Sequence, residues 1–122
     1  MAGWFGDEIN SRADFFSQLA TARSLSAALV KKHPHAGPLK YVAKQLNDIA
    51  RWTESGRTPT PRERKSVFMA LVLSREYETT EDDDILALKN IVSGIDTYVT
   101  FWPDDEAAAD PNNESYLRLS DL

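Results

Sequence analysis

The chain contains no cysteine and only two histidines among its 122 residues. The first absence excludes disulfide staples, thiolate metal sites and a cysteine nucleophile. The second leaves His33 and His35, either side of Pro34 in a helix-breaking stretch, as the whole imidazole supply. No further ligands stand in register with them, so they are expected to be exposed loop side chains. Glycine is sparse, and no glycine-rich phosphate loop, HExxH pair or Ser-His-Asp arrangement is present. Apolar runs fall short of the ~18 residues that a membrane helix needs, and the first eight residues lack the basic and apolar regions of a signal peptide. The expectation is a cytoplasmic protein without a membrane partner. A basic stripe is also missing: the net charge is -5, which argues against nucleic acid as a partner because phosphate binding draws on clustered Lys and Arg.

What is present is the composition of a folded domain. A hydrophobic share of 42% and a charged share of 27% are enough to bury one core and cover it. The length fits one domain of the usual ~100–150 residues. Charge divides the chain in two: residues 1–102 carry 13 acidic and 13 basic side chains, whereas 103–122 carry six acids against Arg118 alone. The reading is a folded unit over 1–102 and an acidic, flexible tail over 103–122. Trp4 and Phe5 precede the first periodic segment and serve either as a flap on the core or as an exposed contact element.

Four helices are expected. The first covers 7–32, with Ile9, Ala13, Phe16, Ala20, Ala27 and Val30 on its apolar stripe and Phe15, Leu19, Ala22 and Leu29 alongside, and it ends before His33-Pro34. The second, 38–55, buries Leu39, Val42, Ala43, Leu46, Ile49, Ala50 and Thr53, with Gly56 as its left-handed stop. Thr60 and Glu63 have the capping-box spacing around Pro61, so a third helix starts there and runs through the all-apolar 67–73, a stretch whose periodicity alone also fits a buried strand. The fourth begins near Glu81 with Thr80 as its cap, lines Ile85, Leu88, Ile91, Val92, Ile95, Val99 and Trp102 on one face, and ends at Pro103. The fold class is all-α, a bundle of about four helices.

Chemistry concentrates at 76–84, where Glu76, Glu78, Glu81, Asp82, Asp83 and Asp84 crowd the entrance to the last helix. Carboxylates at a helix N-terminus stabilise it through the unsatisfied N–H groups. Glu76 and Glu78 exceed that need and suit a basic partner surface. The spacing lacks the glycine and closing glutamate of a calcium loop. Neither a histidine nor a cysteine stands beside the acids, so the pattern points to binding rather than catalysis, and no cofactor is implied. An enzyme using the carboxylates with a divalent metal is the contrary reading, which predicts stabilisation by metal.

The segments 42–49 (Val-Ala-Lys-Gln-Leu-Asn-Asp-Ile), 67–73, 75–80 (Arg-Glu-Tyr-Glu-Thr-Thr) and 87–89 (Ala-Leu-Lys) resemble, together and in this order, the small helical immunity proteins of bacterial type VI secretion, above all those that neutralise NAD(P)-glycohydrolase toxins. The resemblance spans roughly 14–99. It departs from that pattern in a longer N-terminus, in Asp82-Asp83-Asp84 and in the acidic tail. It implies a non-enzymatic antitoxin that occludes the active site of a cognate effector toxin domain. On this reading Glu76, Tyr77, Glu78, Glu81, Asp82 and Asp83 form the toxin contact, with Trp102 or Trp52 as an aromatic anchor. The alternative is a helical scaffold or regulatory module acting as a homodimer.

Overall fold

A computed structural model describes residues 9–103. Their helices are α1 (Arg12–Lys32), α2 (Gly37–Trp52), α3 (Pro61–Lys65), α4 (Met69–Glu76) and α5 (Asp83–Phe101), with a single 3-10 turn at Glu54–Gly56. The chain is all-α among the described residues, and none of these helices is long and apolar enough to cross a membrane. The tail from 104 and the Trp4-Phe5 pair lie outside the described residues.

α1 starts later than its periodicity suggests because Ser11 supplies a cap: its Oγ accepts the Asp14 N–H at 3.1 Å. Phe15, Leu19, Ala22, Ser26 and Leu29 face inward, the alternating four-and-three spacing of one helical face. Ala13, Ala20 and Ala27, expected on the apolar stripe, are exposed instead. α1 packs against α2 and α5, and its third side takes small residues that cost little in water.

Both ends of α1 are tied to α5, which fixes the pair as antiparallel. At one end the Arg12 guanidinium lies 4.1 Å over the Trp102 ring and donates to the Pro103 carbonyl at 2.6 Å and the Tyr98 hydroxyl at 3.1 Å. Phe15 stacks on Tyr98 at 5.0 Å and meets Trp102 edge-on at 5.3 Å. These contacts hold Trp102 in a left-handed conformation (φ 41°), its N–H closing the helix onto the Tyr98 carbonyl at 2.7 Å. At the other end Lys32 approaches Asp82 at 4.0 Å.

α2 buries Leu39, Val42, Leu46 and Ile49 as its pattern requires, with Gln45 among them. Beyond it, Ser55 (φ 58°) and Gly56 (φ 81°) make the left-handed exit. The expected third helix is two helices. The capping box at Thr60 and Glu63 forms, but α3 ends at Lys65, and α4 begins afresh at Met69 rather than continuing as a helix or forming a strand. A side chain from α2 causes the break. The Gln45 Oε1 accepts the N–H groups of Phe68 and Met69, both at 2.8 Å, while its Nε2 donates to the Ser66 carbonyl at 2.9 Å and reaches the Tyr41 hydroxyl at 3.3 Å. One buried amide thereby caps α4 from another helix and satisfies the carbonyl at the interruption.

The helices close into a ring around the core in the order α1, α2, α4, α5, with α3 against α5. Ile85, Leu88, Ile91, Val92, Ile95 and Val99 of α5 are all buried, as its face predicts.

Replacement Gln45→Leu leaves the buried Met69 N–H, the part-buried Phe68 N–H and the Ser66 carbonyl without that partner. The expected loss is about 3 kcal/mol in urea unfolding, since each orphaned buried group costs about 1–3 kcal/mol before any apolar gain is offset. Hydrogen exchange at the Phe68 and Met69 amides is expected to accelerate more than at Leu46 or Val92. A loss below about 1 kcal/mol with unchanged exchange would show that the clasp is dispensable.

Candidate functional site

The acidic residues sit on the turn from α4 to α5. Glu76 ends α4, and the Tyr77 N–H closes that helix on the Leu73 carbonyl at 3.0 Å. From the far helix, the Lys89 ammonium donates to the Tyr77 carbonyl at 2.9 Å and pins the start of the turn. At its end Asp82 is the cap of α5: its Oδ1 accepts the N–H groups of Asp84 (2.9 Å) and Ile85 (3.2 Å). The expected cap, Thr80, instead accepts the Asp82 N–H at 3.2 Å and orients the capping residue, so α5 begins at Asp83.

The six carboxylates therefore divide. Asp82 is used by the fold, and its carboxyl is held below the usual range by the Ile85 N–H first, then by the Asp84 N–H and by the charges of Lys32 and His33. Glu76, Glu78, Glu81, Asp83 and Asp84 are exposed, and among the described residues none of them accepts a hydrogen bond or joins an ion pair. Asp83 and Asp84 also favour the N-terminus of α5 electrostatically. Glu76, Glu78 and Glu81 have no such role. Among the described residues no three His, Asp or Glu side chains converge as a metal-binding group.

The remaining expected contacts are placed differently. Tyr77 is half-buried against the core, where burial and then the Glu76 charge raise its phenol. Trp102 is buried in the aromatic cluster at the opposite end of α5, about 28 Å along the helix from Asp83 at 1.5 Å per residue, so the structure does not bring it to the acidic turn. Trp52 is half-buried at the end of α2. His35 is exposed, as expected, but His33 is half-buried, its Nε2 enclosed without a partner among the described residues, because the end of α1 lies against Asp82.

Two grooves run along α5. One, about 660 Å³, runs between α1 and α5 with Leu25, Ala87 and Ile91 in its wall and Asp83 and Asp84 on its rim. The other, about 540 Å³, lies between α4 and α5 and contains residues that the sequence does not single out: Phe68 and Leu71, each about half exposed, and Asp96. Asp96 is half-buried, its Oδ2 accepting the Ala70 N–H at 3.3 Å. Burial raises its carboxyl above the usual range and outweighs that hydrogen bond.

Compared with family models, with curated proteins and with solved structures, the chain finds no match.

Two outcomes test this division of labour. Asp82→Ala is expected to lower the melting temperature, whereas Glu76→Lys with Glu78→Lys is expected to leave stability within about 0.5 kcal/mol, as exposed substitutions without partners do. Equal losses would assign the whole cluster to capping. For Asp96 the folded value lies above the unfolded one, so the folded chain holds the proton over that interval and stability declines as pH rises through it. Asp96→Asn keeps an acceptor for Ala70 and removes the titration. It is expected to stabilise the protein at neutral pH, with the gain vanishing below about pH 4, where the unfolded carboxyl is protonated too.

Proposed function

We propose that this chain is an immunity protein that binds a cognate secreted bacterial toxin domain, an NAD(P)-glycohydrolase delivered by type VI secretion, and blocks its active site. The observation that carries the reading is the set of five exposed carboxylates, Glu76, Glu78, Glu81, Asp83 and Asp84, which the fold leaves unpaired on a turn fixed at both ends. A cleft that holds a dinucleotide presents arginine, lysine and N–H donors to phosphate oxygens, and carboxylate oxygens meet those donors with similar charge and geometry. A turn fixed by Lys89 and Asp82 loses little freedom when it docks, which suits a tight stoichiometric inhibitor better than a mobile acidic segment would. The resemblance to helical immunity proteins supports the same reading: besides its segment on α2, its segments fall on α4 with the turn that follows and on α5, the elements that frame the acidic surface.

Co-expression with the toxin domain encoded by the adjacent gene tests the proposal through survival, complex formation and cellular NAD. The expected result is rescue with a stable complex and preserved NAD, and a loss of about ten- to a hundredfold in affinity for the Glu76→Lys, Glu78→Lys double variant, the range of a few interfacial charge pairs. Rescue against a toxin that leaves NAD untouched in the unprotected control would keep the immunity role and replace the chemistry. Neither rescue nor complex would overturn it in favour of a dimeric helical scaffold.

A further inference from the structure

The α4–α5 groove is unusual for a surface with no partner of its own. Phe68 is 52% exposed and Leu71 is 51% exposed. They stand three residues apart, one helical turn on the outer side of α4, while Met69 and Leu73 take the core. Nothing in the core requires two large apolar side chains there. Behind them Asp96 offers a carboxylate that is half-buried yet joins no ion pair among the described residues; its one hydrogen bond comes from the Ala70 N–H. The groove's own cation is committed elsewhere, since the Lys89 ammonium is turned to the Tyr77 carbonyl at 2.9 Å. An apolar rim around an uncompensated carboxylate is complementary to a cationic side chain whose neighbours are apolar.

We infer that this groove is the apolar half of the toxin-binding surface and receives an arginine or lysine of the partner, its cationic head on Asp96 and the apolar side chains beside it on Phe68 and Leu71. The inference rests on the immunity reading and extends its contact from the acidic turn along α4. The two parts are adjacent along the chain: Phe68 precedes the first residue of α4, Leu71 and Arg75 stand four residues apart on its exposed side, and Glu78 follows two residues beyond its end, so a partner that meets Glu78 also borders the exposed side of α4. They are also complementary in effect. The exposed carboxylates of the turn steer a basic surface into place but hold weakly in water. Asp96 has already lost part of its hydration in the folded chain, so a cation meeting it there gains more than it would at an exposed acid. Apolar anchors flanking a desolvated charge pair are where binding energy concentrates in protein interfaces.

The test uses the full chain and the purified toxin domain encoded beside it, silenced by active-site substitution. Affinity is measured for the parent, for Phe68→Ala with Leu71→Ala, and for Asp96→Asn, with melting temperatures alongside. The expected result is a fall of about a hundredfold for the apolar pair and of about tenfold or more for Asp96→Asn, while neither variant melts lower than the parent by more than a degree or two. Asp96→Asn keeps the hydrogen bond to Ala70, so weaker binding without lower stability cannot come from misfolding. Binding unchanged in both variants, with the acidic-turn variant still impaired, would overturn the groove and leave the immunity reading intact. No complex with the parent would overturn both. A parent that sediments as a dimer without toxin, and becomes monomeric in Phe68→Ala with Leu71→Ala, would assign the groove to a second copy of this chain and overturn the inference.

Discussion

The fold and the proposed surface both depend on one buried amide. Gln45 is almost fully enclosed, and its side chain makes four hydrogen bonds: two accepted from Phe68 and Met69, two donated to Ser66 and Tyr41. A buried side-chain amide is costly unless its capacity is filled, and here three of the four groups that fill it are backbone atoms that would otherwise lack this partner at a helix interruption. The amide and the break need each other. The arrangement also selects one geometry, because a helix running unbroken from Pro61 would have its Phe68 and Met69 N–H groups bonded within the helix and leave Gln45 unsatisfied in the core. The rotation of α4 follows from this. With its start fixed at Met69, residues 69 and 73 turn inward, 68 and 71 turn outward, and the Ala70 N–H points to Asp96.

Electrostatics distributes the acidic residues by the same logic of satisfied donors. α5 needs an acceptor for its first N–H groups, and Asp82 provides it, with Thr80 orienting Asp82 and Lys32 nearby. Once that need is met, further carboxylates at the turn bring the helix little and repel one another. Their density is therefore not explained by the fold, whereas that of Arg12, Tyr98 and Trp102 at the other end of α5 is: there a cation, two rings and a terminal carbonyl close on themselves.

How much of this is legible in the sequence depends on whether the cause is local. The faces of α2 and α5 and the Thr60–Glu63 box are set by residues within one or two turns, and they appear where spacing places them. The outer face of α1 is misread because alanine is compatible with either environment, so Ala13, Ala20 and Ala27 carry no information about which side is buried. The interruption at 66–68 has no local signal. Its cause lies more than 20 residues earlier, in a glutamine that reads as an ordinary helical residue until the chain has folded. The candidate site follows the same rule. The acidic turn is visible from composition, but the length of α5 puts Trp102 at its opposite end, and Phe68, Leu71 and Asp96 come together only through the break that Gln45 makes.

The rigidity of α4 connects these observations to binding. A two-turn helix is too short to be stable alone in water, because nucleation consumes what so few hydrogen bonds return. α4 persists because its ends are held from outside: Gln45 and Asp96 take the N–H groups of its first residues, and Lys89 takes the carbonyl that follows its last. Met69 and Leu73 fix the middle in the core. The exposed residues of α4 and of the turn after it are therefore displayed at positions already settled by folding, and a partner meeting them has little ordering to offset. The same three tethers tie the surface to the stability of the domain. A change that loosens Gln45 frees the start of α4, shifts the apolar rim relative to Asp96, and reaches the acidic turn through the helix that leads into it.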